Sequence, residues 1–129
     1  MKTKLSVLIF FSLSILPSLL QAQFTQQGSK LVGTGNIGAS SQGFSVAVSG
    51  DGNTAIEGGF SDNSNAGAVW IFTRSGGVWS QQGPKLIGSG AIGNAYQGIS
   101  VAISGDGNTA IIGGYEDNGN VGAAWIFIR

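Results

Sequence analysis

From Phe44 onward, large apolar residues alternate with small or polar ones in short runs, and glycine, asparagine and aspartate fence each run. No window of about 11 residues places apolar side chains at helical spacing. The runs are β-branched or aromatic, which is strand composition. Three strands are predicted in succession over Phe44–Ser49, Thr54–Gly58 and Gly67–Arg74. Between the first two, Gly50-Asp51-Gly52-Asn53 is dense in residues that tolerate positive φ and reads as a hairpin turn. Phe60 to Ala66 is a polar loop. Ser75-Gly76-Gly77 then turns into a fourth strand that begins at Val78 and continues through Pro84 to Leu86-Ile87. Pro84 cannot donate to a ladder, which suits a strand at a sheet edge.

The pattern is written twice. Residues 26–74 return as residues 81–129, each 55 positions after its counterpart, with 75–80 as the linking turn and strand. Self-similarity at a fixed period indicates stacked supersecondary units. Four antiparallel strands in roughly 50 residues is the size of a propeller blade. The expected fold is therefore all-β: two four-stranded antiparallel β-propeller blades, either a partial propeller or a protomer that forms rings. A two-layer sandwich also uses short strands, but the fixed period favours blades. Stacked blades bury both faces of each sheet. Ala47, Ala55 and Ala68 are expected to let sheets approach, with Trp70, Phe72, Trp125 and Phe127 filling wider gaps.

The strand order is offset from the units. Phe24–Val32 matches Trp79–Ile87, the first unit's fourth strand, yet precedes any unit of its own. The second copy reaches Arg129 after its third strand. An order 4-1-2-3-4-1-2-3 predicts that the N-terminal strand completes a C-terminal blade. Two blades cannot close a ring, so two readings follow. Several chains join head to tail as a homo-oligomer of about six to eight blades, or the chain is a fragment of a longer array.

Composition narrows the class. Lys2 and Lys4 precede an apolar run from Leu5 to Leu20, and small Ala22 follows, so residues 1–22 read as a secretory signal peptide. Domain residues are 23–129, with no membrane span expected there. All 23 glycines lie in that part, about a fifth of it against a usual 7% or so. Without Lys2 and Lys4, four basic side chains face six acidic ones, which supplies no basic surface for nucleic acid. The chain has no cysteine and no histidine. Disulfides, Cys/His zinc sites and Ser-His-Asp catalysis are thereby excluded. Two-carboxylate glycosidase chemistry would need a pair distinct from the repeated scaffold, and none stands out. No enzyme activity is expected.

Gln42-Gly43-Phe44-Ser45-Val46-Ala47-Val48-Ser49-Gly50-Asp51-Gly52-Asn53-Thr54-Ala55-Ile56, with its twin Gln97 to Ile111, resembles the FG-GAP repeat. This is the blade of integrin alpha-chain propellers and of many secreted bacterial proteins. Gln42 and Gln97 stand at that family's phenylalanine position. Gly58-Gly59-Phe60 and Gly113-Gly114-Tyr115 replace its Gly-Ala-Pro, and this double glycine makes a kelch-type blade the second candidate. The resemblance implies binding or cell adhesion, and calcium in an Asp-rich hairpin loop. Asp51 and Asn53 supply two ligand positions, but Ala55 stands at the third, and Asp106, Asn108 and Ala110 repeat the defect. A structural turn without metal or other cofactor is the expectation.

Asp62 to Asn65 and Asp117 to Asn120 read as Asx-stabilised turns. Phe60 and Tyr115 follow the double glycines and could stack on a sugar ring or plug the space between blades. Trp79 is the third candidate ligand contact. Glu57 is the one acidic side chain inside a strand. The expected function is a secreted module, extracellular or periplasmic, that binds a protein or glycan at a cell surface through blade loops. The alternatives are a small multimeric lectin using Phe60, Trp79 or Tyr115, or a repeat fragment with no independent function.

Overall fold

The computed structural model describes residues 23–129, so the expected signal peptide lies outside the described residues. The first unit forms one antiparallel sheet from β1 (Ser45–Val48), β2 (Thr54–Gly59), β3 (Ala68–Ser75) and β4 (Val78–Gln81), in that order. The second forms β5 (Ser100–Ile103), β6 (Thr109–Gly114) and β7 (Ala123–Ile128). Its sheet has three strands where four were expected.

Each hairpin follows from local chemistry. In the first, Ser49 N donates to Thr54 O (2.8 Å) and Gly52 N to Ser49 O (2.9 Å). Gly52 at φ +72° takes the left-handed conformation that the turn requires. The fourth strand is interrupted. Gln81 pairs with Phe72, whereas Leu86 pairs with Val69, so two extra residues bulge out around Pro84. Proline has no N–H for the ladder there, and pairing resumes through Leu86 N to Val69 O at 2.8 Å.

Register assigns the faces. Ala47, Ile56 and Ile71 lie opposite one another, with Val69 beside them, on the rear of the first sheet. Val46 and Glu57 with Trp70, and Val48 and Ala55 with Phe72, form its front. The rear of the first sheet packs on the front of the second: Ile56, Val69 and Ile71 share one core with Ala110 and Ile112, joined by Ala47, Leu86, Val101, Ile103 and Phe127. The alanines contribute as expected, but glycine sets the closest approach. A Cβ at Gly58 would overlap the backbone oxygen of Gly98, which also accepts from Ser45 Oγ at 2.7 Å.

Residues 24–32 are not a strand, and they pair with neither sheet edge. This corrects the expected intrachain completion. The physical reason is placement: the segment lies on the front of the first sheet, whereas the open edge, β7, belongs to the second. Leu31 packs there on the Ala68–Trp70–Phe72 cluster. Trp70 and Phe72 accordingly meet the N-terminal segment and not another sheet, while Phe127 does fill the space between sheets. Trp70 lies against Gly33 and donates to Thr34 O at 2.8 Å; Trp125 repeats this with Gly88 and Ser89 O at 2.9 Å.

Candidate functional site

The double glycines end β2 and β6, and Phe60 and Tyr115 follow them at the same end of the two sheets. The segment leading into β5 pairs with the first unit's loop, through Tyr96 N to Asn65 O (3.0 Å) and Gln97 N to Ala66 O (3.1 Å). That pairing sets the Tyr96 ring between the two predicted residues. Phe60 and Tyr96 stack, with centroids 5.8 Å apart and planes at 10°. Tyr96 and Tyr115 are 5.4 Å apart and tilted by 52°. Phe44 adds an edge-on contact to Phe60 at 4.6 Å. The result is a row of four rings whose outer members, Phe44 and Tyr115, are 59% and 51% exposed. The neighbouring Glu116 carboxylate, as an acceptor for the phenol, raises Tyr115 above its ordinary pKa, with smaller contributions from burial and charge.

Trp79 is not in the row. It pairs with Arg74 beside the β3–β4 turn, at the opposite end of the sheet from Phe60. Its Nε1 donates to Gln27 Oε1 (3.0 Å), and the Arg74 guanidinium lies 5.4 Å from the ring centroid. A groove of about 320 Å³ runs between residues 27–31 and 77–79 at this point. The structure thus unites Phe60 with Tyr115 and separates both from Trp79.

Each hairpin aspartate turns one carboxylate oxygen to its own loop. Asp51 Oδ1 accepts from Ser49 Oγ (2.5 Å) and Asn53 N (2.9 Å), and Asp106 repeats this with Ser104 Oγ and Asn108 N. The serine hydroxyl, then the backbone N–H, lowers each carboxyl below its ordinary pKa. Asn53 Oδ1 accepts from Arg74 Nε (3.2 Å) and Asn108 Oδ1 from Arg129 Nε (2.9 Å). A guanidinium on the second ligand oxygen opposes a divalent cation, so these residues do not fit the calcium that the resemblance implies.

The Asp62 and Asp117 loops are single turns with left-handed residues at Asn63, Ser64 and Asn65, and at Asn118, Gly119 and Asn120. They do more than an Asx turn requires. Asp62 is fully buried; its Oδ1 accepts from Ile37 N at 2.7 Å and its Oδ2 pairs with Lys85. Asp117 accepts from Ile92 N at 2.7 Å, and no cation among the described residues pairs with it.

Sequence reasoning did not find Tyr96, Phe44 or the Asp62–Lys85 pair. Tyr96 carried a usable signal, since it replaces Ser41 at a repeated position. Both residues are left-handed, with φ +58° and +55°, so the backbone is shared and only the ring is new.

Residues 79–127 match the FG-GAP repeat. The matched segment starts on β4 of the first sheet and runs through β5 and β6 into β7 of the second. Among curated proteins and solved structures, none matches the chain. Among the described residues no helix is long and apolar enough to cross a membrane.

Proposed function

We propose that the chain is a β-propeller segment of two FG-GAP-like blades that acts by binding, with the Phe44–Phe60–Tyr96–Tyr115 row as its contact surface. The observation that carries this reading is the row itself. Four rings from both repeats converge at one sheet end, and two stay open to solvent although burial would stabilise them. The FG-GAP match supports a non-enzymatic role of the adhesion type, and residues 1–22 support export to the cell surface or periplasm. The partner is a protein or glycan met there.

A lectin is the second reading, favoured by the exposed face of Tyr115, since flat rings stack on the apolar faces of sugars. Trp79 has no part in it. The test is binding of the purified chain to a glycan array and to immobilised cell-surface proteins. Saturable binding that is lost in Tyr115→Ala and Phe60→Ala but kept in Trp79→Ala supports the row. Sugar binding selects the lectin reading and protein binding the adhesion reading. Binding that survives both row substitutions, or none on either surface, contradicts the proposal.

A further inference from the structure

Many contacts of the first repeat recur in the second, so the faces that differ stand out. Among them, Ile37 N and Ile92 N donate to Asp62 and Asp117, and Trp70 and Trp125 donate to Thr34 O and Ser89 O. The rear of the first sheet is buried on the second sheet's front. Its repeat copy, the rear of the second sheet, carries Ala102, Ile111, Ala124 and Ile126, all exposed, with Ile126 at 67%. The front of the first sheet, copy of a buried front, leaves Val46 and Val48 at 69% and 60% exposure. The open rear and the open front are therefore the two halves of a contact the chain already makes once with itself.

Charge gives an independent mark. Buried Asp62 is paired with Lys85, which arrives on the segment that follows β4. Asp117, its counterpart, has no cation among the described residues. Lys30, the counterpart of Lys85, is exposed on residues 24–32, the segment that forms no strand in its own chain. That segment already sits on the first sheet as 79–87 sits on the second. Gln27 Oε1 accepts from Arg74 Nη1 at 3.2 Å, as Gln82 Oε1 accepts from Arg129 Nη1 at 3.1 Å.

We infer that a second copy of this chain docks head to tail, its residues 24–32 adding a fourth strand along β7 and its Lys30 pairing with Asp117. The occupant is set by continuity with the intrachain contact: the backbone pairing of Leu86 with Val69 becomes Leu31 with Ala124. Glu57 is the one conspicuous departure, a carboxylate on the front where the intrachain contact has Ile112. The interface is heterologous, so copies add in one direction, and they close into a ring where the rotation between them allows it. It does not depend on what the aromatic row binds.

The absence of cysteine allows a direct test. Leu86 and Val69 exchange both backbone hydrogen bonds, a pairing that sets Cα atoms about 5.5 Å apart, within disulfide range. Purified Leu31→Cys and Ala124→Cys chains are mixed under oxidising conditions. The expected product is a covalent dimer in the mixture, far in excess of that in either variant alone. Adding Lys30→Glu to the first chain reduces it severalfold, and adding Glu57→Ile increases it. Lys30 is exposed and the buried Glu57 lies on the front that faces the partner, and circular dichroism checks that each variant folds. No dimer in the mixture overturns the inference, as does equal dimer from each variant alone. Either result leaves the ligand-binding test of the aromatic row untouched.

Discussion

Buried charge separates the two repeats more sharply than any other residue-scale feature. Asp62 and Asp117 make the same bond to a backbone N–H, but among the described residues only Asp62 also holds a lysine. Removing one partner of a buried pair strands the other, at about 3–5 kcal/mol. Asp62→Ala is therefore expected to cost that much in urea unfolding, and Asp117→Ala in a protomer about 1–3 kcal/mol for the lost hydrogen bond. Glu57 acts in the other direction. Burial raises its carboxyl above the ordinary value, offset in part by Gly33 N–H. The folded chain then keeps the Glu57 proton to higher pH than the unfolded chain does. The stability linked to this group is full below the ordinary carboxylate range and is lost as pH rises through the raised value. Glu57→Gln keeps an acceptor for Gly33 N–H and removes the titration. Its stability gain over the wild type should grow from acid to neutral pH, and unfolding series at both conditions check this. Asp51 and Asp106, with lowered values, contribute oppositely, their stabilisation being lost as pH falls through those values.

The elements themselves were largely legible. Strand composition and turn residues act locally, and Thr54–Gly59 differs from the predicted strand only by Gly59. What failed was decided by partners far away in sequence. Pro84 breaks the fourth strand because Leu86 must still reach Val69. The Phe24–Val32 segment has the composition of a strand but no edge beside it. Tyr96 joins Phe60 and Tyr115 only because the β4–β5 connection pairs with the Asn65–Ala66 backbone. The Asp62–Lys85 pair was present as repeated aspartates and lysines, yet spacing alone could not join residues that meet through a crossing loop. Glycine governs how closely the sheets approach. Gly58→Ala places a methyl against the Gly98 carbonyl and should cost about 1–3 kcal/mol or more as overpacking. Gly113→Ala overlaps the Ser100 hydroxyl, which can rotate away, and no backbone atom as closely, so it should cost less in the protomer. Thermal unfolding of the two variants compares them directly.

At the scale of the molecule, two sheets share one core and present unmatched faces at either end. An uncharged open edge such as β7 is an aggregation hazard unless something pairs with it. Donation of residues 24–32 between copies removes that hazard and gives Lys30 its buried partner. Two units per chain and about six to eight blades per ring make three or four copies. The most direct measurement is the light-scattering mass of the purified chain over a range of concentrations, beside Lys30→Glu and Ile126→Asp. Strand donation predicts one discrete mass of three or four protomers for the wild type and a shift toward the single protomer in both variants. A wild type that stays monomeric at every concentration, or an assembly that neither substitution weakens, would contradict it.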